Sequence, residues 1–109
     1  MKINLTDLQN STFRFYVEDN FRDYLFNQLR IRYGDWRIVA KRLKIYTRHL
    51  FGMRRGWEIR KNIKQKFLIN SLIIKKLSDL TNIRLSKMEG KVTFVKHGQS
   101  GLILKVKLP

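Results

Sequence analysis

Hydrophobic positions along the chain change period several times. Phe13, Phe15 and Val17 alternate with Arg14 and Tyr16, the period of a half-buried strand. From Asp19, placed to cap a helix, Phe21, Tyr24, Leu25 and Leu29 form one stripe, and Gly34 is a suitable stop. Asp35 then caps a second helix in which Trp36, Val39, Ala40 and Leu43 recur at i, i+3, i+4 and i+7. Arg37, Lys41 and Arg42 occupy its other face. A tight connection at Lys44-Ile45 leads to a third helix from about Tyr46 to Arg55, ended by Gly56. Over residues 57–66 the spacing of Ile59, Ile63 and Phe67 admits a narrow helical stripe or an ordered loop. Asn70 or Ser71 caps a further helix with Ile69, Leu72, Ile73, Leu77 and Leu80 as its apolar face and Asn82 at its end. A brief helical turn is expected from Leu85 to Glu89.

The period of two returns at the C-terminal end. Val92 and Phe94 alternate with Thr93 and Val95. After the turn-like His97-Gly98-Gln99-Ser100-Gly101, Leu102, Leu104, Val106 and Leu108 alternate with Ile103, Lys105 and Lys107, a hairpin signal. A lone hairpin is marginal in water, so residues 12–17 are the natural third strand. The expected fold class is mainly α: a helix-turn-helix bundle of four to five helices with a small C-terminal β-hairpin. One domain over residues 1–109 is expected, with a helical core at about 19–90 and the hairpin at about 91–108.

Composition then narrows the class. The 109 residues are 43% apolar and 12% aromatic, enough for one core and against disorder. Twenty-four Lys and Arg face eight Asp and Glu, a formal charge of +16. Self-repulsion on that scale opposes compaction, which points to a polyanionic partner. Ten basic residues against one acidic residue between Lys41 and Lys66 give a local net of +9. The charge concentrates on the second and third helices and the stretch after them. With no cysteine, disulfide frameworks and Cys-based zinc sites are excluded. His49 and His97 have no carboxylate or second histidine at ligand spacing, so no metal is expected. The Gly98–Gly101 turn is followed by no lysine or helix start and is not a phosphate loop. The few acidic residues are scattered, so neither an enzyme nor a cofactor is expected. No stretch nears the ~20 apolar residues of a membrane span, and Met1–Leu5 lacks the core of a secretory signal. A cytoplasmic, nucleoid-associated location follows, with no membrane and no small-molecule ligand.

The residues Tyr33-Gly34-Asp35-Trp36-x-x-Val39-Ala40-x-x-Leu43, continuing to Met53-Arg54-Arg55-Gly56, resemble the lambda-repressor-like (Xre-type) helix-turn-helix. The likeness is strongest to the archaeal version in which Tyr-Gly-x-Trp precedes the first helix of the motif. It resumes at Phe67-Leu68-Ile69-Asn70-Ser71-Leu72 through Leu80-Thr81, similar to the fourth helix of that fold, and covers about residues 20–90. In archaeal proteins such a domain is sometimes followed by a LAGLIDADG-type endonuclease domain, and Ser100-Gly101-Leu102 to Leu108-Pro109 looks like the joint before one. No LAGLIDADG motif is present, so the resemblance implies DNA binding without that catalytic part. The chain departs from the pattern at several points. Lys44 stands where glycine is usual, Tyr46 where a serine cap is usual, and Thr47 becomes the nearest capping side chain. Gly52 lies inside the third helix, and the run 57–66 is longer than the family's connection.

Carried over by position, the resemblance implies that Thr47, Arg48, Phe51 and Gly52 face base edges, with Arg48 suited to the two acceptors of guanine. It implies phosphate contacts by Lys44, Tyr46, Arg54 and Arg55 at the ends of that helix. Arg37, Arg60, Lys61 and Lys64 extend that set on charge. Trp36, Leu50 and Met53 belong to the core. The expected function is sequence-specific binding of double-stranded DNA, as a transcriptional regulator, with a homodimer as one option because the family often reads two half-sites. An architectural DNA-coating protein, the detached targeting module of a homing-type endonuclease, and an RNA-binding protein are the alternatives.

Overall fold

The computed structural model describes residues 4–5, 7–9, 13–95 and 103–105. In order these are strand β1 (Arg14–Val17), helices α1 (Asp19–Tyr33), α2 (Trp36–Leu43) and α3 (Thr47–Arg55), strands β2 (Trp57–Arg60), β3 (Ile63–Lys66) and β4 (Ile69–Asn70), helix α4 (Ser71–Thr81), and strands β5 (Val92–Val95) and β6 (Ile103–Lys105). Short 3-10 turns cover Asp7–Gln9 and Leu85–Met88. Four α-helices and two small antiparallel sheets among the described residues give the mainly helical architecture expected.

Local chemistry sets the helix boundaries. Asp35 accepts the backbone N–H of Arg37 at 2.8 Å and starts α2; Asn70 accepts that of Ile73 at 3.0 Å and starts α4. Gly34, Lys44, Gly56 and Asn82 end the four helices, all in the left-handed region. Asp19 is the first residue of α1 and not its cap, a position held by Glu18. Its carboxylate accepts from the Tyr16 hydroxyl and from Arg22, both at 2.7 Å.

The core collects Leu25, Phe26 and Leu29 of α1, Val39, Ala40 and Leu43 of α2, Leu50 and Met53 of α3, and Ile74 and Leu77 of α4. The stripe on α1 is therefore rotated from the expected one: Phe26 and Arg22 are buried and Tyr24 is exposed. On α4, Ile74 is buried and Leu72 exposed. Phe15 and Val17 bring β1 onto this core, pairing with β4 (Phe15 opposite Ile69) and with β5 (Phe15 opposite Phe94, Val17 opposite Val92). The sheet order is β4-β1-β5-β6, with β5 and β6 antiparallel over Thr93–Val95 and Ile103–Lys105. The remainder of the expected C-terminal hairpin, residues 96–102 and 106–109, lies outside the described residues.

The largest difference is at residues 57–66. Neither a helix nor a loop forms there. Instead β2 and β3 make a two-stranded ribbon, Trp57 opposite Lys66 and Arg60 opposite Ile63. Its two-residue turn, Lys61-Asn62, has φ of 50° and 63°, the doubly positive arrangement that matches strand twist in tight hairpins.

Candidate nucleic-acid interface

The surface starts with the connection between α2 and α3. Lys44 turns the chain at φ 58° and ψ 45°, and the Ile45 N–H donates to the Ala40 carbonyl at 3.0 Å. Ala40 is buried and adds only a methyl group, so α3 can cross α2 closely. Half-buried Ile45 with Leu43 and Leu50 fills the crossing. Leu50 and Met53 thereby fix which side of α3 faces outward.

That outward side carries Thr47, Arg48, His49 and Phe51, all exposed, with Phe51 at 57%. Tyr46 precedes the helix as its cap residue but contributes no side-chain capping bond, and Thr47 is already helical. The Tyr46 ring packs edge-on against His49 at 5.7 Å, and the Arg48 guanidinium lies 6.0 Å from the same ring. Gly52 corrects an expectation. It is buried with its α-carbon turned inward, where a β-carbon would stand 3.0 Å from the Phe67 ring. It lets Phe67 approach the helix and does not lie on the outward side.

The cations predicted to meet phosphate fall into distinct groups. Lys44, Lys61 and Lys64 are exposed. Arg37 and Arg60 are exposed and pair with Asp35 (3.3 Å) and Glu58 (3.6 Å), contacts worth little in water. Arg54 is the least available: its guanidinium sits 3.5 Å from the Trp36 ring centre. Burial, then the nearby Arg30, lowers its pKa from the usual arginine value. Arg55 lies 5.1 Å from the Phe51 ring and 3.6 Å from Trp57, and Lys64 approaches Trp57 at 4.5 Å. Phe51, Arg55, Trp57 and Lys64 thus form one continuous row of alternating rings and cations, running from the exposed side of α3 onto the ribbon.

A buried arginine holds this row in place. Arg22 donates to the carbonyls of Val17 (3.1 Å), Arg54 (3.0 Å) and Arg55 (3.3 Å) as well as to Asp19. Its side chain is only 8% exposed. A fixed cation at the carbonyl end of α3 complements the helix dipole and satisfies carbonyls that a helix leaves unpaired. Periodicity alone gave no hint of it, because a charged residue on an amphipathic helix is assigned by default to the solvent side. Trp57 and the ribbon were also missed. The available signal was Lys61-Asn62, a two-residue turn between short runs containing Trp57, Ile59 and Ile63.

Among the described residues there is no cluster of His, Asp and Glu able to hold a metal, and no helix is long and apolar enough to cross a membrane. Family models, curated proteins and solved structures offer no match to this chain. The surface itself is an anchored helix presenting threonine, arginine and phenylalanine, joined to a cationic ribbon.

Proposed function

We propose that the chain binds duplex DNA, with α3 inserted in the major groove and α2 lying across the backbone. The observation that carries this is the combination on α3 of a side anchored by Leu50 and Met53 and an exposed side bearing Thr47, Arg48 and Phe51. A major groove about 12 Å wide admits one helix. Arg48 is the group for guanine and Phe51 for a thymine methyl. Lys44, Arg37, Arg55 and Lys64 neutralise phosphates and set the register. Gly52 has no part in base contact, and Arg54 serves first as a partner for Trp36. The role that follows is regulation at chosen sites.

Selection of bound sequences from a random duplex pool, run in parallel with Arg48→Ala, tests the proposal. A defined motif is expected, and Arg48→Ala should relax one position in it. With ~5–8 phosphates engaged, log K should fall against log salt with a slope of about −4.5 to −7. Equal losses by Arg48→Ala on selected and random duplexes would remove Arg48 from base reading. Tighter binding to structured RNA than to any duplex would replace DNA as the partner.

A further inference from the structure

The ribbon carries two features that phosphate neutralisation does not use. Ile59 and Ile63 are 58% and 60% exposed at its far end, although isoleucine is among the residues most often buried. In the register Ile59 stands opposite Lys64, and Ile63 opposite Arg60. Side chains directly opposite share a face and neighbours along a strand alternate. The two isoleucines therefore lie on opposite faces of the ribbon. Docking flat on any surface would cover one and leave the other in water. A slot with two walls covers both.

The tip between them is also unusual. Of the four described non-glycine residues with positive φ, two are asparagines, which tolerate it, and two are Lys44 and Lys61. Turns of this kind favour Asn, Asp or Gly, so a strained backbone holds a cation at the extremity of the ribbon. Arg60 and Lys64 stand near it, both exposed. The row Phe51–Arg55–Trp57–Lys64 makes the ribbon continuous with the outward side of α3. At ~3.3 Å per residue its four-residue strands reach roughly 13 Å, enough to pass over a phosphate strand from the groove that holds α3.

We infer that the β2–β3 ribbon enters the minor groove next to the major groove occupied by α3. Ile59 and Ile63 lie against its two sugar walls, Lys61 points to the acceptors on its floor, and Arg60 and Lys64 meet the phosphates of its rim. The minor groove is a slot about 6 Å wide with acceptor atoms along its base. With side chains on both faces a ribbon is about 10 Å thick, more than that width, so entry opens the groove and bends the duplex, as apolar wedges do. The inference rests on α3 being the major-groove element.

The test uses the full chain on a short fluorescent duplex, titrated with and without a netropsin-type drug that fills the minor groove. The drug should weaken the wild type about tenfold, the equivalent of losing one buried aliphatic side chain. Ile59→Ser/Ile63→Ser should start about tenfold weaker, keep its salt slope, and ignore the drug, while Lys64→Ala should lower the slope by about one. Circular dichroism checks the fold of the variants, and the drug arm on the wild type needs no variant. A wild type indifferent to the drug, or a double variant that binds like the wild type, overturns the inference. So does binding to phosphatidylserine vesicles that the double variant abolishes while duplex binding stays whole. Arg48→Ala on the same duplexes separates the two ideas. Intact sequence preference there with drug sensitivity present removes α3 and keeps the ribbon. Lost preference with drug insensitivity removes the ribbon and keeps α3.

Discussion

Lys44 closes α2 in the left-handed region, and its backbone N–H donates to the carbonyl of Lys41 at 3.1 Å. A side chain with a β-carbon is strained there, whereas glycine is not. Lys44→Gly should stabilise the fold by about 0.5–1 kcal/mol, net of the backbone entropy that glycine loses. The same change should weaken duplex binding and lower the salt slope by about one. Chemical denaturation and a salt titration measure the two effects. Greater stability with unchanged affinity would show that Lys44 makes no phosphate contact. At this scale the sequence was partly transparent. Asp35, Gly34, Gly56 and Asn70 declared their roles because capping chemistry is local. Phe26 and Gly52 did not. A stripe drawn through Tyr24 and one drawn through Phe26 are two residues apart on α1, and only the partner surface decides which turns inward. Gly52 follows Phe51 directly, so a shift of one residue in phase moves it from the exposed side to the Phe67 ring.

Among elements, α3 owes its orientation to packing more than to propensity, since it is short and contains a glycine. Leu50, 1% exposed, is the contact nearest its middle. Leu50→Ala should cost about 2–5 kcal/mol through lost burial and the cavity left behind, read as a lower denaturation midpoint at constant slope. A loss below ~1 kcal/mol would mean that α3 is not anchored by this side chain. The helices α2 and α3 and the turn between them were legible because each of their parts is written in adjacent residues. The ribbon was not, for a physical reason: β3 is exposed along its whole length, so there is no buried face to impose an alternation. Ile59, Ile63 and Phe67 then imitated a helical stripe by their spacing. The pairing of β1 with β4 and β5 joins segments far apart in the chain, and only the edge of that sheet next to the C-terminal strands was foreseen.

Across the whole molecule, a charge of +16 leaves few acidic groups to steady the fold. Asp19 and Asp35 are two that do. The Tyr16 hydroxyl and then Arg22 hold the Asp19 carboxyl below its ordinary value, and the backbone N–H and guanidinium of Arg37 do so for Asp35. Both folded-state pKa values lie below the unfolded ones, near 3.9. Their stabilisation is therefore present above about pH 4 and is lost as pH falls through the folded values. Thermal melts taken downward from pH 5 should show a falling midpoint, and Asp19→Asn should flatten that limb. An unchanged acid limb in Asp19→Asn would remove this carboxylate from the account. The contact of Arg22 with α3 reaches further still. Gly56 sits at φ 85°, and the space beside its α-carbon is filled by the Arg22 guanidinium. A side chain at position 56 would be strained by that φ and would push the guanidinium from its seat. Displaced, Arg22 would give up the carbonyls of Arg54 and Arg55, and α3 would lose the partner that finishes it. One hydrogen atom on Gly56 thus keeps a cation at work on a helix remote from it in sequence.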